Sequence, residues 1–229
     1  LRFNWMTPFI LSHYDSKTLY AGANMLFKSE NRGDQWTCIS PDLSSNPGPE
    51  RQGDVPFGTI TDISESALKK GLLYAGTDDG QLHVTRDDGA TWTKINKGLP
   101  NRWVSRVVAS KYDEGTVFVS LTGYREDDFE AYLYRSTDFG ETWKSIVNNM
   151  PSESINVIRE DPIDQDILYV GTELGAYCSI DKGKTWNSLC KTLPTCAVHD
   201  LALHAGTGDL VAGTHGRSVF VLHAKEIQK

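Results

Sequence analysis

Six acidic side chains are the first candidates for chemistry in this chain: Asp78, Asp79, Glu126, Asp127, Asp128 and Glu173. Hydrolysis of a glycosidic bond needs two carboxyl groups flanking it, roughly 5 to 10 Å apart depending on stereochemistry. The acids are numerous enough, but which of them face each other is left open. Other chemistries have less to work with. There is no G-x-S-x-G elbow, and no G-x-G-x-x-G leads from a strand into a helix. The six histidines (His13, His83, His199, His204, His215 and His223) show no i, i+4 helical pairing. The four cysteines (Cys38, Cys178, Cys190 and Cys196) form no C-x-x-C pair and have no histidine at zinc spacing, so no metal and no cofactor are expected. Cys190 and Cys196 are close enough along the chain to bridge. The other reading is buried free thiols, and the redox compartment stays open.

The elements that would position these residues follow from an internal repeat. Four segments fit S/T-x-D-x-G-x-x-W or miss it at one position: SENRGDQW (29–36), TRDDGATW (85–92), STDFGETW (136–143) and SIDKGKTW (179–186). Their tryptophans are 56, 51 and 43 residues apart, which suits a supersecondary unit with variable loops. A second motif keeps step with the first: LYAGAN (19–24), LYAGTDDG (73–80), VFVSLTGY (117–124), LYVGTELG (168–175) and LVAGTHGR (210–217). An alternating or apolar run precedes each of these and a short strand follows it. Four short strands per unit, separated by Gly, Asp, Asn and Pro turns, predict an all-β fold of about five four-stranded propeller blades. The blades are expected near 3–40, 57–96, 103–147, 154–189 and 197–223, as one propeller segment over 1–229. Five units with four boxes leave the last blade incomplete. The chain is therefore expected to be part of a larger propeller, with the remainder as its partner.

Each box residue has a physical task. Asp87, Asp138 and Asp181 can accept backbone N–H groups across the turn, and Asn31 keeps an acceptor oxygen without the charge. Gly33, Gly89, Gly140 and Gly183 supply positive φ. Trp36, Trp92, Trp143 and Trp186 each carry a large apolar area to wedge beside the turn.

These boxes resemble the bacterial neuraminidase repeat, and the chain as a whole is similar to sortilin-type Asp-box propellers and to bacterial proteins called glycosyl hydrolase-like. Stretches such as GDVPFGTIT and INVIRED share that look. The resemblance implies structural Asp boxes, with function on the opposite face. It also brings two enzymatic readings. A sialidase-like site would need three arginines on a carboxylate and a Tyr–Glu nucleophile, for which Arg106, Arg125 and Arg217 with Tyr124 and Glu126 are available, but the F/Y-R-I-P signature is absent. A xyloglucanase-like site would divide its two catalytic aspartates between two propellers, so that this chain holds at most one half.

Blade connectivity places the turns between second and third strands on the face away from the boxes. That face is expected to carry Asp78, Asp79, Tyr124, Arg125, Glu126, Asp127, Asp128, Glu173, His215 and Arg217, bordered by Arg106, Asn156, His199 and Asp200. The stretch from Gly123 to Tyr132 reads as a long polar loop. A funnel of mixed charge suits a protein, peptide or glycan ligand bound without catalysis, with a glycoside hydrolase as the alternative. A purely structural or assembly role is a third reading. The formal net charge of −7 argues against nucleic acid. The apolar runs are far shorter than the roughly 20 residues of a membrane span. The family resemblance implies a secreted or cell-surface chain, periplasmic or extracellular.

Overall fold

The computed structural model describes residues 1–189 and 193–228. Among these described residues, five sheets follow one another in sequence. The first comprises Phe9–Leu11 (β1), Leu19–Gly22 (β2), Leu26–Ser29 (β3) and Thr37–Cys38 (β4). The second comprises Ile60–Glu65 (β5), Leu73–Thr77 (β6), Leu82–Thr85 (β7) and Thr93–Lys94 (β8). The third comprises Trp103–Ala109 (β9), Val117–Gly123 (β10), Asp128–Ser136 (β11) and Lys144–Ser145 (β12). The fourth comprises Ile155–Glu160 (β13), Leu168–Thr172 (β14), Ala176–Ser179 (β15) and Asn187–Ser188 (β16). The last comprises Val198–His204 (β17), Asp209–Thr214 (β18) and Val219–His223 (β19). Within every sheet, strands adjacent in the chain are adjacent in space, as the repeat predicts. The fifth sheet has three strands, and β1 pairs with β2 in the first.

The second strand of a blade explains the repeated LYAG and LYVG segments. Every residue of β6 and β14 is buried, so both faces of the strand are covered and the sequence runs apolar instead of alternating. The glycine within the motif permits a close approach. A Cβ on Gly22 would stand 2.9 Å from Ile60 Cβ, one on Gly171 would stand 2.8 Å from Val198 Cγ1, and one on Gly76 would run into Val104. In each case the contact comes from the first strand of a later blade.

The residues form two compact units, Leu1–Val117 with Ser136–Trp143, and Phe118–Arg135 with Lys144–Lys229. The core of the first includes Tyr20, Leu26, Leu43, Ile60, Ile63 and Leu73. That of the second includes Val157, Tyr169, Val198, Leu201 and Leu210.

The Asp boxes are built as the sequence predicts. Gly33, Gly89, Gly140 and Gly183 have φ between +82° and +95°, and each is preceded by a non-glycine residue that also has positive φ. Asp87 Oδ1 accepts the Thr91 N–H at 2.8 Å, and Asp138 and Asp181 accept those of Thr142 and Thr185 at 2.9 and 2.8 Å. At the first box, Asn31 Oδ1 takes the Gln35 N–H at 2.9 Å, so the turn survives without the charge. Hydrogen bonds from Ser136 and Thr142 hold the Asp138 carboxyl down at about 2.

The tryptophans do more than wedge. Trp92 Nε1 donates to the Ile39 carbonyl at 2.8 Å, Trp143 Nε1 to Ile95 at 2.7 Å and Trp186 Nε1 to Ile146 at 2.7 Å. Each acceptor lies three residues beyond the tryptophan of the preceding box, so the indoles stitch one blade to the next.

Cys38, Cys178 and Cys196 are free thiols. Cys190 lies outside the described residues. No helix among the described residues is long and apolar enough to cross a membrane.

Candidate functional site

In the first unit, the turn after β6 turns its carboxylates inward. Asp78 is 4 % exposed and accepts the N–H groups of Gly58 and Thr59 at 2.9 and 2.8 Å, the Thr59 hydroxyl at 2.6 Å and the Asn4 amide at 3.3 Å. Burial, with Asp79 as a close like charge, pushes its pKa up, although the Thr59 hydrogen bonds oppose this. Asp79 is also buried and accepts the backbone N–H and the hydroxyl of Ser45, both at 2.7 Å. Together with Arg2, which donates to Asp42 at 2.8 Å and to the Gly58 carbonyl at 3.2 Å, these carboxylates fasten the long segment after β4. Arg106 on β9 lies 3.5 Å from Asp62 on β5. The sequence places Asp78, Asp79 and Arg106 around a ligand. The structure occupies them with the chain's own groups, because the segment after β4 brings Ser45, Gly58 and Thr59 over the turn.

In the second unit the nominated residues form a connected band. The expected loop from Gly123 to Tyr132 is instead a hairpin end. Tyr124–Glu126 make one 3-10 turn, Asp127 takes a left-handed conformation at φ 56°, and β11 starts at Asp128. Asp128 fixes the return strand by accepting the Glu130 N–H at 3.1 Å and the Tyr132 hydroxyl at 2.8 Å. At the tip, the exposed rings of Tyr124 and Phe129 meet edge to face with centroids 5.8 Å apart. Arg125 and Glu126 are exposed beside them.

The band continues through the residues before β13. The Ser152 hydroxyl donates to Glu130 at 3.1 Å, and the Ser154 carbonyl receives the Glu173 N–H at 3.1 Å. Glu173 Oε1 accepts the Asn156 amide at 2.9 Å, and that amide also reaches the Val198 carbonyl at 3.4 Å. His199 Nε2 lies 4.0 Å from Glu173 Oε1, and the His199 and His215 rings stand 5.1 Å apart, tilted by 37°. Asp200 is engaged by Arg159 at 2.7 Å, while Arg217 is exposed on the turn after β18.

Sequence reasoning missed Glu153. This buried carboxylate accepts the Thr172 hydroxyl at 2.6 Å and the Tyr177 hydroxyl at 2.9 Å, holding the turn that presents Glu173. Its signal, an acid just ahead of a first strand, has no counterpart in the other units. The band offers one oriented carboxylate, an amide, two imidazoles and an aromatic pair. Among the described residues no cluster of three His, Cys, Asp or Glu side chains is arranged to hold a metal ion.

Comparison with known proteins agrees with this architecture. A xyloglucanase of Hypocrea jecorina is 28 % identical over 133 residues, which is 52 % of this chain and 16 % of that enzyme. The chain thus spans about a sixth of that relative's length. Among solved structures, the GH74 xyloglucanase of Xanthomonas campestris superposes with a TM-score of 0.71 at 13 % identity, covering 98 % of this chain and 37 % of that one. YCF48 bound to D1 peptide superposes with a TM-score of 0.62 at 15 % identity, covering 96 % of this chain and 67 % of that one. At these identities the likeness establishes the β-propeller fold. The model of the Sortilin-Vps10 family (sortilin, neurotensin receptor 3) matches residues 80–200, more than half of the chain, and the chain belongs to that family.

Proposed function

We propose that the chain is a non-catalytic propeller module that binds a protein, peptide or glycan ligand on the band running from Tyr124 through Asp128 and Glu173 to His199, His215 and Arg217. One observation carries this reading: the side chains that reach solvent there are recognition groups of mixed character. Three of the six carboxylates that could form an acid pair are tied to the chain itself. Asp78 and Asp79 are saturated by Gly58, Thr59 and Ser45, and Asp128 is held by Tyr132. Glu173 is oriented by Asn156 beside two imidazoles, which suits it to accept a hydrogen bond or meet a positive group. Deployment outside the cell, and membership of a longer propeller chain, go with this proposal.

The alternative, half of a glycoside hydrolase, is favoured by the similarity to the xyloglucanase of Hypocrea jecorina. Calorimetric titration with xyloglucan oligosaccharides and with a peptide library, run beside a reducing-sugar assay, separates the two. A binding module shows saturable heat that Glu173→Gln and His199→Ala weaken at least tenfold, with no sugar released. Release of reducing sugar that a single carboxylate substitution abolishes would overturn the proposal.

A further inference from the structure

Glu173 and Asp78 hold the same place in their blades, directly after the Gly-Thr that ends the second strand, yet the chain treats the two carboxylates differently. Asp78 accepts four hydrogen bonds, from two backbone N–H groups, a hydroxyl and an amide, and is closed off from solvent. Among the described residues Glu173 accepts one, from the Asn156 amide to Oε1, and its side chain is 23 % exposed. An ionised carboxyl group has acceptor sites for about four donors. Glu173 therefore keeps acceptor capacity that Asp78 has used on the chain itself.

The turn that carries Glu173 is pinned. The Thr172 hydroxyl accepts the N–H groups of Leu174 and Gly175 at 3.3 and 3.1 Å while it donates to Glu153 at 2.6 Å, and the Glu173 N–H goes to Ser154 at 3.1 Å. The carboxylate is thus positioned before any ligand arrives, which lowers the cost of ordering it. Its surroundings select the donor. Leu174, next in the turn, is 52 % exposed and sets apolar surface beside the charge. A Lys or Arg side chain carries a cationic head on an apolar stem and matches both. Along the same band Glu126, Asp127 and Glu130 are exposed with Arg125 and Arg217, while Arg159 is engaged by Asp200 at 2.7 Å, so acids are in excess. That excess repels an anionic ligand and does nothing for a neutral sugar, whereas it steers a cation inward.

We infer that the ligand is a basic peptide segment, which places the cationic head of a Lys or Arg side chain on Glu173 and the stem of that side chain against Leu174. This rests on the binding reading above and narrows its protein, peptide or glycan to one class.

Calorimetric titration of the whole chain at physiological salt tests it. The probes are an amidated heptapeptide of alternating lysine and serine, the same peptide with every lysine acetylated, its glutamate–serine counterpart, and xyloglucan oligosaccharide. The lysine peptide is expected to saturate and the other three to give no saturable heat. Glu173→Gln keeps the shape and removes the charge, and is expected to weaken the lysine peptide roughly tenfold, the worth of a hydrogen bond to a charged group. Glu30→Gln removes the same charge from a box turn and is expected to change affinity less than about twofold, because exposed charges at a distance are screened. Unchanged unfolding midpoints verify that both variants are folded, and the acetylated peptide on the wild type decides the matter without either. Equal weakening by the two variants, meaning attraction to the whole chain without a site, overturns the inference, and so does an acetylated peptide that binds as well as the unmodified one. Saturable heat from xyloglucan or the acidic peptide, with none from the lysine peptide, overturns the inference and leaves the binding reading standing. Absence of saturable heat from these probes and from the peptide library overturns both.

Discussion

His83 on β7 sets a pH limit on the first unit that can be measured. Its imidazole is largely buried, its Nδ1 has no hydrogen-bond partner, and it sits opposite Lys94 in the strand register. Burial first, and then the Lys94 charge, drive its pKa down to about 4 from 6.5, with Asp79 pulling weakly the other way. The native state therefore holds the ring neutral, while the unfolded chain protonates it below 6.5. Stability from this group is fully present above 6.5 and is lost as pH falls through 4. Between pH 7 and pH 5 the loss amounts to about 2 kcal/mol, from 1.36 kcal/mol per pKa unit and proton linkage. The assay is urea unfolding at pH 7, 6 and 5, followed by tryptophan fluorescence, on the wild type and on His83→Leu. The variant lacks the titrating group and is expected to lose about 2 kcal/mol less over that range. An identical pH slope for both proteins refutes the reasoning, because carboxylates shared by the two cancel in the comparison.

Three further outcomes follow from the same geometry. Trp143→Phe removes the indole donor to Ile95 and is expected to lower unfolding free energy by about 1 kcal/mol, whereas Trp36→Phe, whose indole N–H donates to none of the described residues, changes it by less than about 0.5 kcal/mol. Gly76→Ala drives a methyl into Val104 and is expected to cost about 1 to 3 kcal/mol by thermal unfolding, while Gly53→Ala, with nothing within 4 Å, is expected to be neutral. Asp138→Asn is expected to flatten the acid limb of stability. The Asp138 carboxylate, held at about 2 against an ordinary 3.8, contributes stability that is complete above 3.8 and disappears as pH falls through 2. Unfolding midpoints measured from pH 5 to pH 2 read this directly.

The boxes were legible because their bonds are local. Ser136, Asp138, Gly140 and Thr142 satisfy one another within a single turn, so the residue types and spacing contain the whole interaction. The indole stitch was half legible. W-T-C-I, W-T-K-I and W-K-S-I recur at the right offset, but only the packing of neighbouring blades reveals that the last residue lends its carbonyl. The fate of Asp78 was not legible, since its donors Thr59 and Asn4 lie 19 and 74 residues away. Polarity marked it as a surface group. A segment from elsewhere in the chain made it an internal one. The hairpin end at Tyr124 was read as a loop for a related reason: its acids break the apolar pattern, yet Asp128 uses its carboxylate to hold the return strand.

Asp78, Glu173 and His215 occupy the same place, immediately after the Gly-Thr that ends the second strand of a blade. Each donates its backbone N–H to a residue at the head of the first strand: Asp78 to Thr59 at 3.0 Å, Glu173 to Ser154 at 3.1 Å and His215 to Ala197 at 2.9 Å. The main chain performs the structural task in all three, so the side chain is released from it and can differ without loss of the turn. In Asp78 the released group is recaptured by Gly58 and Thr59. In Glu173 it is oriented by Asn156 toward two imidazoles, and in His215 it stands in solvent beside His199. A position whose backbone is invariant in role and whose side chain is free is where a repeat fold can acquire specificity without destabilising its blades. On the binding proposal, that argument makes Glu173 and His215, and not the Asp boxes that make the repeat visible, the residues through which one ligand would be distinguished from another.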